Sequence, residues 1–552
     1  MTFKSQLEDL SRYRNAYLLS LSVAMGSVFF GYDIGLIGGV LSLDSFQQYF
    51  GMDKMDAREK ASLVGNIVAI LQLGCFLGAL GVGPYSSRYG RKPCLLASGI
   101  MFIIGSAMQV IVGLGTTREY ALALLFVGRF LGGVGVGMVT ALVPSYISEC
   151  TPRAIRGRCT GLIQLANNIG IMLSFWVNYF VSKHMSPGEK QWRLPFAMQI
   201  VPGVLFLLLM PFQPESPRYM VEQRQYGRAA KTLAFLARCS PDDETVQATV
   251  QEVKVDFLGK TNLSVLQQLR GMGESRGMAL RCFIPPLVMF FQQWTGTNAI
   301  NYFSPQIFAS LGIGETTAEL FATGVYGVVK VVSVTLVLAL AVEKIGRKKC
   351  LIIGGIGQSA MMLWIGGYSG FHPTPSGSPT PLSYISITAV YLYAVFYNVG
   401  WGPLPWVVAG EVAPNHLRTV VMSYSISVSW LFSLTISKLT PIMLNELRYG
   451  TFLIFGFCCL LMAFWAWLCL PETTGFGLEE IGLLFEQDVI LRALQDAPGG
   501  RFFIGNRRAA PVGKLMAGAT EGGEDLLAAS MRRDSESDDE SSDPAQSLLP
   551  KI

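Results

Sequence analysis

The feature that most limits the fold of this chain is a series of about twelve apolar stretches, each long enough to cross a lipid bilayer. They lie near 17–43, 62–83, 94–114, 120–143, 160–182, 195–212, 281–310, 318–342, 350–369, 384–410, 419–441 and 449–470. Only 15% of the residues are charged, compared with about 25% in soluble domains. Because a helix bonds its own backbone groups within lipid, we expect an all-α membrane protein with twelve transmembrane helices.

Loops rich in Lys and Arg alternate with loops that are mixed or acidic, and this alternation sets the orientation. An excess of basic residues marks the cytoplasmic side, so both termini are predicted to be cytoplasmic. The predicted organisation is an N-terminus at 1–16, a six-helix half at 17–212, a cytoplasmic linker with amphipathic helices at 213–280, a second six-helix half at 281–470 and a cytoplasmic tail at 471–552. The Ser/Asp/Glu-rich stretch 532–543 cannot bury a core, so we predict a largely disordered tail.

The chain also repeats itself at a nearly constant offset. The recurring pairs are 88–92 with 343–348, 149–156 with 411–418, and 214–218 with 471–475. Three such pairs predict two homologous halves of six helices each. Parallel halves of this kind are typical of transporters that hold the ligand between the halves, near the bilayer midplane.

One carboxylate, Asp33, lies deep in the otherwise uncharged stretch 17–43. Such a charge costs roughly 2.5–3.5 kcal/mol on insertion scales, which makes a functional role the first hypothesis. Arg129 lies at a compatible depth in the fourth stretch and is its candidate partner. A motion that separates the two would change how tightly Asp33 binds a proton, which favours proton coupling. The alternative is a static ion pair that fixes helix packing.

Several motifs occur together and in a fixed order. They are Gly31-Tyr-Asp-Ile-Gly35, Gly128-Arg129 with the glycines that follow, 144–157, Gln292-Gln293-Trp-Thr-Gly-Thr-Asn298, Gly402-Pro-Leu-Pro-Trp406 and Pro471-Glu-Thr473. In this order they resemble the sugar porter family of the major facilitator superfamily over roughly residues 15–485. The resemblance implies a multi-pass carrier, fungal in character, that imports a hexose or pentose by proton symport through alternating access. We expect it in the plasma membrane, functioning as a monomer, with Asp33 as the proton site and no cofactor besides the proton.

A sugar needs polar groups that both donate and accept hydrogen bonds, together with an aromatic ring for stacking. The candidates are Gln164, Gln292, Gln293, Asn298 and Trp406, and the resemblance implies that these positions contact the sugar. The alternative for each amide is a hydrogen bond that only joins helices.

Two departures from the family pattern bear on the substrate. Asn398 stands where many members have an acidic residue, and Lys330 lies near the middle of the eighth stretch. A buried ammonium needs an anion, which could be a substrate carboxylate such as a sugar acid or quinate. It could equally be an internal partner, or the amine could be neutral. A neutral hexose or pentose remains the favoured substrate.

A set of charges lies at the cytoplasmic ends of the helices. They are Arg91, Glu149, Arg156, Glu343, Arg347, Glu411 and Arg418. They resemble the charged residues of the family's inner gate. The alternative is that they only reflect the excess of basic residues on the cytoplasmic side of a membrane protein. Ser87 replaces the aspartate usual at its position, so one gate pair is expected to be missing from the first half.

Other classes of function find little support. No stretch combines clustered basic and aromatic residues as a nucleic-acid groove would, and no metal-ligand spacing or nucleophile–base set indicates an enzyme. A sugar sensor that does not transport is the rival hypothesis. Such sensors carry long tails with repeated motifs, and the tail of this chain has no repeat.

Overall fold

The computed structural model describes residues 12–112, 118–152, 155–258, 271–273, 275–313, 315–340, 345–372, 380–414, 417–474, 480–485 and 489–496. Within these ranges all regular secondary structure is helical. Eleven of the described helices are long and apolar enough to cross a membrane.

In the described part of the first half there are eight α-helices. They are α1 (Arg14–Ser42), α2 (Asp44–Tyr49), α3 (Ala57–Tyr89), α4 (Arg91–Ile111), α5 (Arg118–Cys150), α6 (Arg156–His184), α7 (Glu189–Met198) and α8 (Ile200–Leu209), with 3-10 turns at Met52–Lys54 and Met210–Phe212. The linker that follows contributes α9 (Pro217–Glu222), α10 (Tyr226–Ala237) and α11 (Glu244–Leu258). Helix α10 buries Ala229, Ala234 and Leu236 against its neighbours, as expected for an amphipathic helix.

The described residues of the second half also form eight α-helices. They are α12 (Arg276–Trp294), α13 (Thr297–Ser310), α14 (Thr316–Leu340), α15 (Arg347–Phe371), α16 (Pro381–Val399), α17 (Leu404–Val412), α18 (Arg418–Glu446) and α19 (Gly450–Cys469). A 3-10 segment, Glu480–Phe485, and α20 (Val489–Asp496) follow within the predicted tail. Ile481, Leu484 and Phe485 are buried there, so this part of the tail packs on the second half. The acidic stretch 532–543 lies outside the described residues.

The seventh span differs from the expected single helix at 281–310. It consists of α12 and α13, which meet at Gly296 with φ of +84°, a left-handed conformation that favours glycine. Counted as one broken span, it adds a twelfth to the eleven long helices. The tenth span breaks similarly between α16 and α17. Broken helices within a membrane are tolerated where the irregular backbone lines a cavity or is buried in protein.

Among the described helices, the most extensive contacts between the halves are those of α1 with α13, α3 with α18, and α6 with α14. Glycines on α1 allow the closest approaches. A β-carbon at Gly31 would collide with the backbone of Asn167, and one at Gly38 would collide with the backbone oxygen of Tyr302. The glycine-rich face around Asp33 therefore allows close packing both within its half and across the interface.

Candidate functional site

Asp33 and Arg129 form the expected pair. The Arg129 guanidinium lies 3.6 Å from a carboxylate oxygen of Asp33, and the side chains are 0% and 1% exposed. Helix α1 carries the aspartate and α5 carries the arginine, and both pack within the first half. The charge that looked anomalous in the sequence is thus compensated inside the protein rather than facing lipid.

The arginine is fixed more firmly than the aspartate. Its Nε donates a 2.7 Å hydrogen bond to the carbonyl of Ile67 on α3. Neither oxygen of Asp33 accepts a hydrogen bond from the part of the chain that the structure describes. Charge attraction to Arg129 is therefore what holds the Asp33 carboxylate, and protonation of Asp33 would remove that attraction.

A second polar cluster lies where α12 and α13 meet. The Asn298 side-chain amide donates to Gln293 Oε1 at 2.7 Å and to the Ser433 hydroxyl at 3.0 Å. Gln293 in turn donates to the Ser429 hydroxyl at 2.8 Å. Since Ser429 and Ser433 lie one turn apart on α18, these bonds join the broken seventh span to α18.

Gln292 joins the two broken spans. Its side-chain amide donates to the carbonyls of Trp401 at 3.0 Å and Gly402 at 2.8 Å. These carbonyls lie in the break between α16 and α17, where the backbone leaves the regular helix. The Gln292 amide thus donates to backbone carbonyls that the interruption of the helix leaves without helical partners.

Lys330 lies near the middle of α14 and is 2% exposed. Its ammonium donates to Asn301 Oδ1 at 3.1 Å and lies 5.7 Å and 5.9 Å from the ring centres of Tyr326 and Tyr397. No carboxylate of the described residues forms an ion pair with it. Its contacts with these residues are thus a neutral amide and two aromatic faces, which solvate a cation without cancelling its charge.

Asn398 contacts the same turn of α14. It donates to the backbone oxygen of Lys330 at 3.0 Å and to the Ser333 hydroxyl at 2.7 Å. Its own oxygen is buried and receives no hydrogen bond from the described residues. Asn398 is a neutral amide, so it adds no negative charge next to this turn of α14.

The remaining two predicted substrate residues lie apart from this hydrogen-bonded network. Gln164 is half-buried on α6, and Trp406 is half-buried on α17, where it packs against the core of the first half. Among the described residues no hydrogen bond joins either of them to the amides of the second half. Asn301 is a residue of this cluster that sequence reasoning missed, although it follows the Gln292–Asn298 motif by one helical turn.

The predicted gate charges pair at the cytoplasmic ends of the helices. Arg91 lies 3.1 Å from Glu149, and Arg347 lies 3.2 Å from Glu411. Arg91 also lies 3.3 Å from Glu222 on α9. The Arg91–Glu149 and Arg347–Glu411 pairs each lie within one half and brace the inner ends of its helices, while Glu222 ties the linker to Arg91. Of the other predicted gate residues, Arg156 and Arg418 begin α6 and α18, and Glu343 lies outside the described residues.

Next to each gate pair lies a half-buried glutamate that the predicted gate set did not include. Glu215 accepts backbone hydrogen bonds from Arg91 and Lys92 at 3.0 and 3.1 Å. Burial raises the pKa of the Glu215 carboxyl, whereas the backbone N–H groups around it act in the opposite direction. Glu472 makes the equivalent contacts in the second half.

Tyr302 on α13 contacts the first half. Its hydroxyl accepts a 2.8 Å hydrogen bond from Gln72 on α3, and its backbone lies against Gly38 on α1. Both contacts cross from one half to the other. Because Tyr302 directly follows Asn301, these contacts between the halves lie next to the cluster around Lys330.

Two six-helix halves, with a compensated charge pair in one and an amide-rich cluster in the broken helices of the other, define a membrane transporter. The chain belongs to the family described as sugar (and other) transporters, whose model matches residues 19–485. It is accordingly a multi-pass membrane protein, and its relatives and fold are those of transporters rather than enzymes.

Individual relatives fall into two groups. The chain is 34% identical to a "Probable quinate permease" of Aspergillus fumigatus over 86% of this chain and 88% of that protein. It is 32% identical to the "Quinate permease" of Emericella nidulans over 86% and 90% of the two chains. Among solved structures it resembles the proton:xylose symporter XylE bound to 6-bromo-6-deoxy-D-glucose, with 27% identity, a TM-score of 0.73 and coverage of 86% and 100%. The partially occluded inward-open form of XylE from E. coli matches with a TM-score of 0.70 and 26% identity, over 84% and 100% of the chains.

Proposed function

We propose that this protein imports a polyhydroxylated cyclic monocarboxylate of the quinate type by proton symport. The observation that carries the proposal is the buried ammonium of Lys330, which forms no ion pair with a carboxylate of the described residues. Burying an uncompensated charge is expensive, and a substrate carboxylate would supply the missing anion. The fungal relatives named as quinate permeases support the same class of substrate.

The amide cluster supplies the rest of the recognition. Quinate carries hydroxyls around a ring, as a sugar does, and each hydroxyl both donates and accepts hydrogen bonds. Gln292, Gln293, Asn298 and Asn398 offer carboxamides suited to such groups. The set predicted for a neutral sugar therefore serves equally well for a ring that bears one carboxylate near Lys330.

Asp33 is the proposed proton carrier, and the proton is the coupling ion. Its loss of charge on protonation would release Arg129 and free α1 to move against α5. Rocking of the halves about the substrate would then carry substrate and proton together. All these residues belong to one chain, so we infer that a monomer is sufficient.

A neutral hexose or pentose is the second candidate substrate. The structural likeness to the proton:xylose symporter XylE favours it. In that case the ammonium of Lys330 would remain with Asn301 as its internal partner, and the lysine would serve packing alone.

The test is uptake of radiolabelled quinate, galacturonate, glucose and xylose in a transport-deficient yeast, with and without a protonophore. We expect protonophore-sensitive uptake of quinate, with Lys330→Gln abolishing it and sparing any neutral sugar. Lys438→Gln is the matched control, because Lys438 lies on α18 and bonds Asn66 outside the cluster. Uptake of neutral sugars alone, or equal loss of every substrate in Lys330→Gln, would contradict the proposed substrate.

A further inference from the structure

Asn301 is the only described side chain that hydrogen-bonds the ammonium of Lys330. Its Oδ1 lies 3.1 Å from Lys330 Nζ, and the Tyr326 hydroxyl reaches the same oxygen at 3.5 Å. Asn301 is 3% exposed, so the contact is buried together with the ammonium. One of the three ammonium donors is therefore occupied, and its acceptor carries no charge.

The backbone at Asn301 is held in place independently of Lys330. The next residue, Tyr302, accepts a hydrogen bond from Gln72 and packs against Gly38 of the other half. Because α13 is anchored there, a small change in the Asn301 side chain alters the contact with Lys330 more than it moves the helix. Asparagine and aspartate have nearly the same shape, so the residue differs from an ion-pair partner mainly in charge.

We propose that Asn301 sets the charge preference of the substrate site. Its amide orients the ammonium of Lys330 but leaves the positive charge uncompensated for a carboxylate of the substrate. An aspartate at 301 would form a fixed ion pair with Lys330 and remove the attraction for an acidic substrate. Asn301 acts through Lys330 and is a positioning residue. This inference rests on the proposed function, since it assumes that the substrate is an acid.

The test compares Asn301→Asp with Asn301→Ser in yeast that takes up radiolabelled quinate. We expect Asn301→Asp to raise the KM for quinate by roughly tenfold or more. Asn301→Ser keeps a neutral oxygen and should change that KM by no more than about threefold. In Asn301→Asp the KM for xylose should rise less than the KM for quinate, because xylose carries no carboxylate. Surface expression and the chromatographic profile of the tagged protein establish folding.

The outcomes separate the two proposals. If wild-type protein takes up no quinate, both proposals fall. If Lys330→Gln loses quinate uptake but Asn301→Asp retains it, only the role of Asn301 is overturned. An equal KM rise in Asn301→Asp and Asn301→Ser would also overturn it, because the effect would then follow shape rather than charge.

Should Asn301→Asp fail to reach the membrane, Asn301→Val replaces it. Loss of the orienting oxygen should then raise the KM for quinate about threefold relative to Asn301→Ser, and equal values would reject the proposal.

Discussion

At their cytoplasmic ends the two halves hold a glutamate in the same way. Gly90 and Gly346, with φ of +98° and +96°, each begin a turn from which two successive backbone N–H groups donate to a carboxylate. In the first half the carboxylate is Glu215, with distances of 3.0 and 3.1 Å, and in the second it is Glu472, with distances of 2.9 and 3.2 Å. The neighbouring hydroxyl is also repeated, as Ser216 on Glu149 and as Thr473 on Glu411.

The middle of the membrane shows no such repetition. The first half places a buried ion pair there, Asp33 with Arg129. The second half places amides and a lysine there, between helices that are broken rather than continuous. The halves thus share a scaffold where they face the cytoplasm but differ where they would do chemistry. We interpret the first half as the site of the proton and the second as the main site of the substrate.

The largest expected effect tests that division of roles directly. Asp33→Asn removes the proton-binding carboxylate, so accumulation against a gradient should be lost for every substrate. Exchange of labelled for unlabelled substrate should persist, because it needs no net proton movement. The measurement is accumulation and counterflow in proteoliposomes with an imposed proton gradient. Lys330→Gln provides the contrast, since it should affect acidic substrates alone. Accumulation retained in Asp33→Asn would contradict the assignment of the proton to the first half.

A smaller effect is expected from two equivalent lysines of the scaffold. Lys348 is 0% exposed and donates to the carbonyls of Trp467, Leu470 and Ala493 at 2.7–2.8 Å. The ammonium of its counterpart Lys92 donates to one carbonyl of the described residues, that of Pro211. Lys348→Met should lower the free energy of unfolding by about 3 kcal/mol, because it leaves three acceptors without their charged donor.

The matched change Lys92→Met should lower the free energy of unfolding by no more than about 0.5 kcal/mol, as is usual for a substitution near a surface. Thermal unfolding of the full-length purified protein measures both. Since Ala493 lies on α20, limited proteolysis should also release the end of the tail in Lys348→Met and not in Lys92→Met. Equal stability of the two variants would show that the tail helix adds nothing to the second half.

Sequence reasoning could predict the scaffold because its signals are periodic or repeated. The apolar stretches give the helices, and the recurring Gly-Arg-Lys and Pro-Glu motifs give the halves. The pair Asp33–Arg129 was also predictable, since a lone acid in an apolar span needs a partner at the same depth. The break at Gly296 was not, because glycine is common in membrane helices and periodicity does not show φ.

The details of the substrate cluster could not be predicted for a different reason. Asn301 contacts Lys330 across 29 positions of the chain, and Asn398 reaches the same turn across 68. Such contacts depend on how α13, α14 and α16 pack, which a single sequence does not encode as a local pattern. Gln164 and Trp406 illustrate the converse, because the resemblance places them with the other candidates whereas no hydrogen bond joins them to the cluster in the described residues.

The smallest expected effect concerns the one place where the scaffold repeat fails. Ser87 lies three residues before Gly90, as Glu343 lies three residues before Gly346. Ser87 is exposed in the last turn of α3, and its hydroxyl donates to the carbonyl of Gly83 at 3.2 Å. Gly83 lies against Ser423, near the beginning of α18 in the other half. An acid at 87 would therefore face the positive end of α18 across the interface.

Ser87→Asp should strengthen this cytoplasmic contact by about 0.5 kcal/mol, the usual scale for an exposed charge interaction. Inward opening would then become roughly twofold rarer. A reporter cysteine at Leu338, which contacts Gly161 of the first half, measures the opening by its rate of labelling from the cytoplasmic side. Ser87→Asn is the control, because it matches aspartate in size without adding charge. Faster labelling in Ser87→Asp, or an equal change in both variants, would mean that the missing acid has no part in holding the halves together.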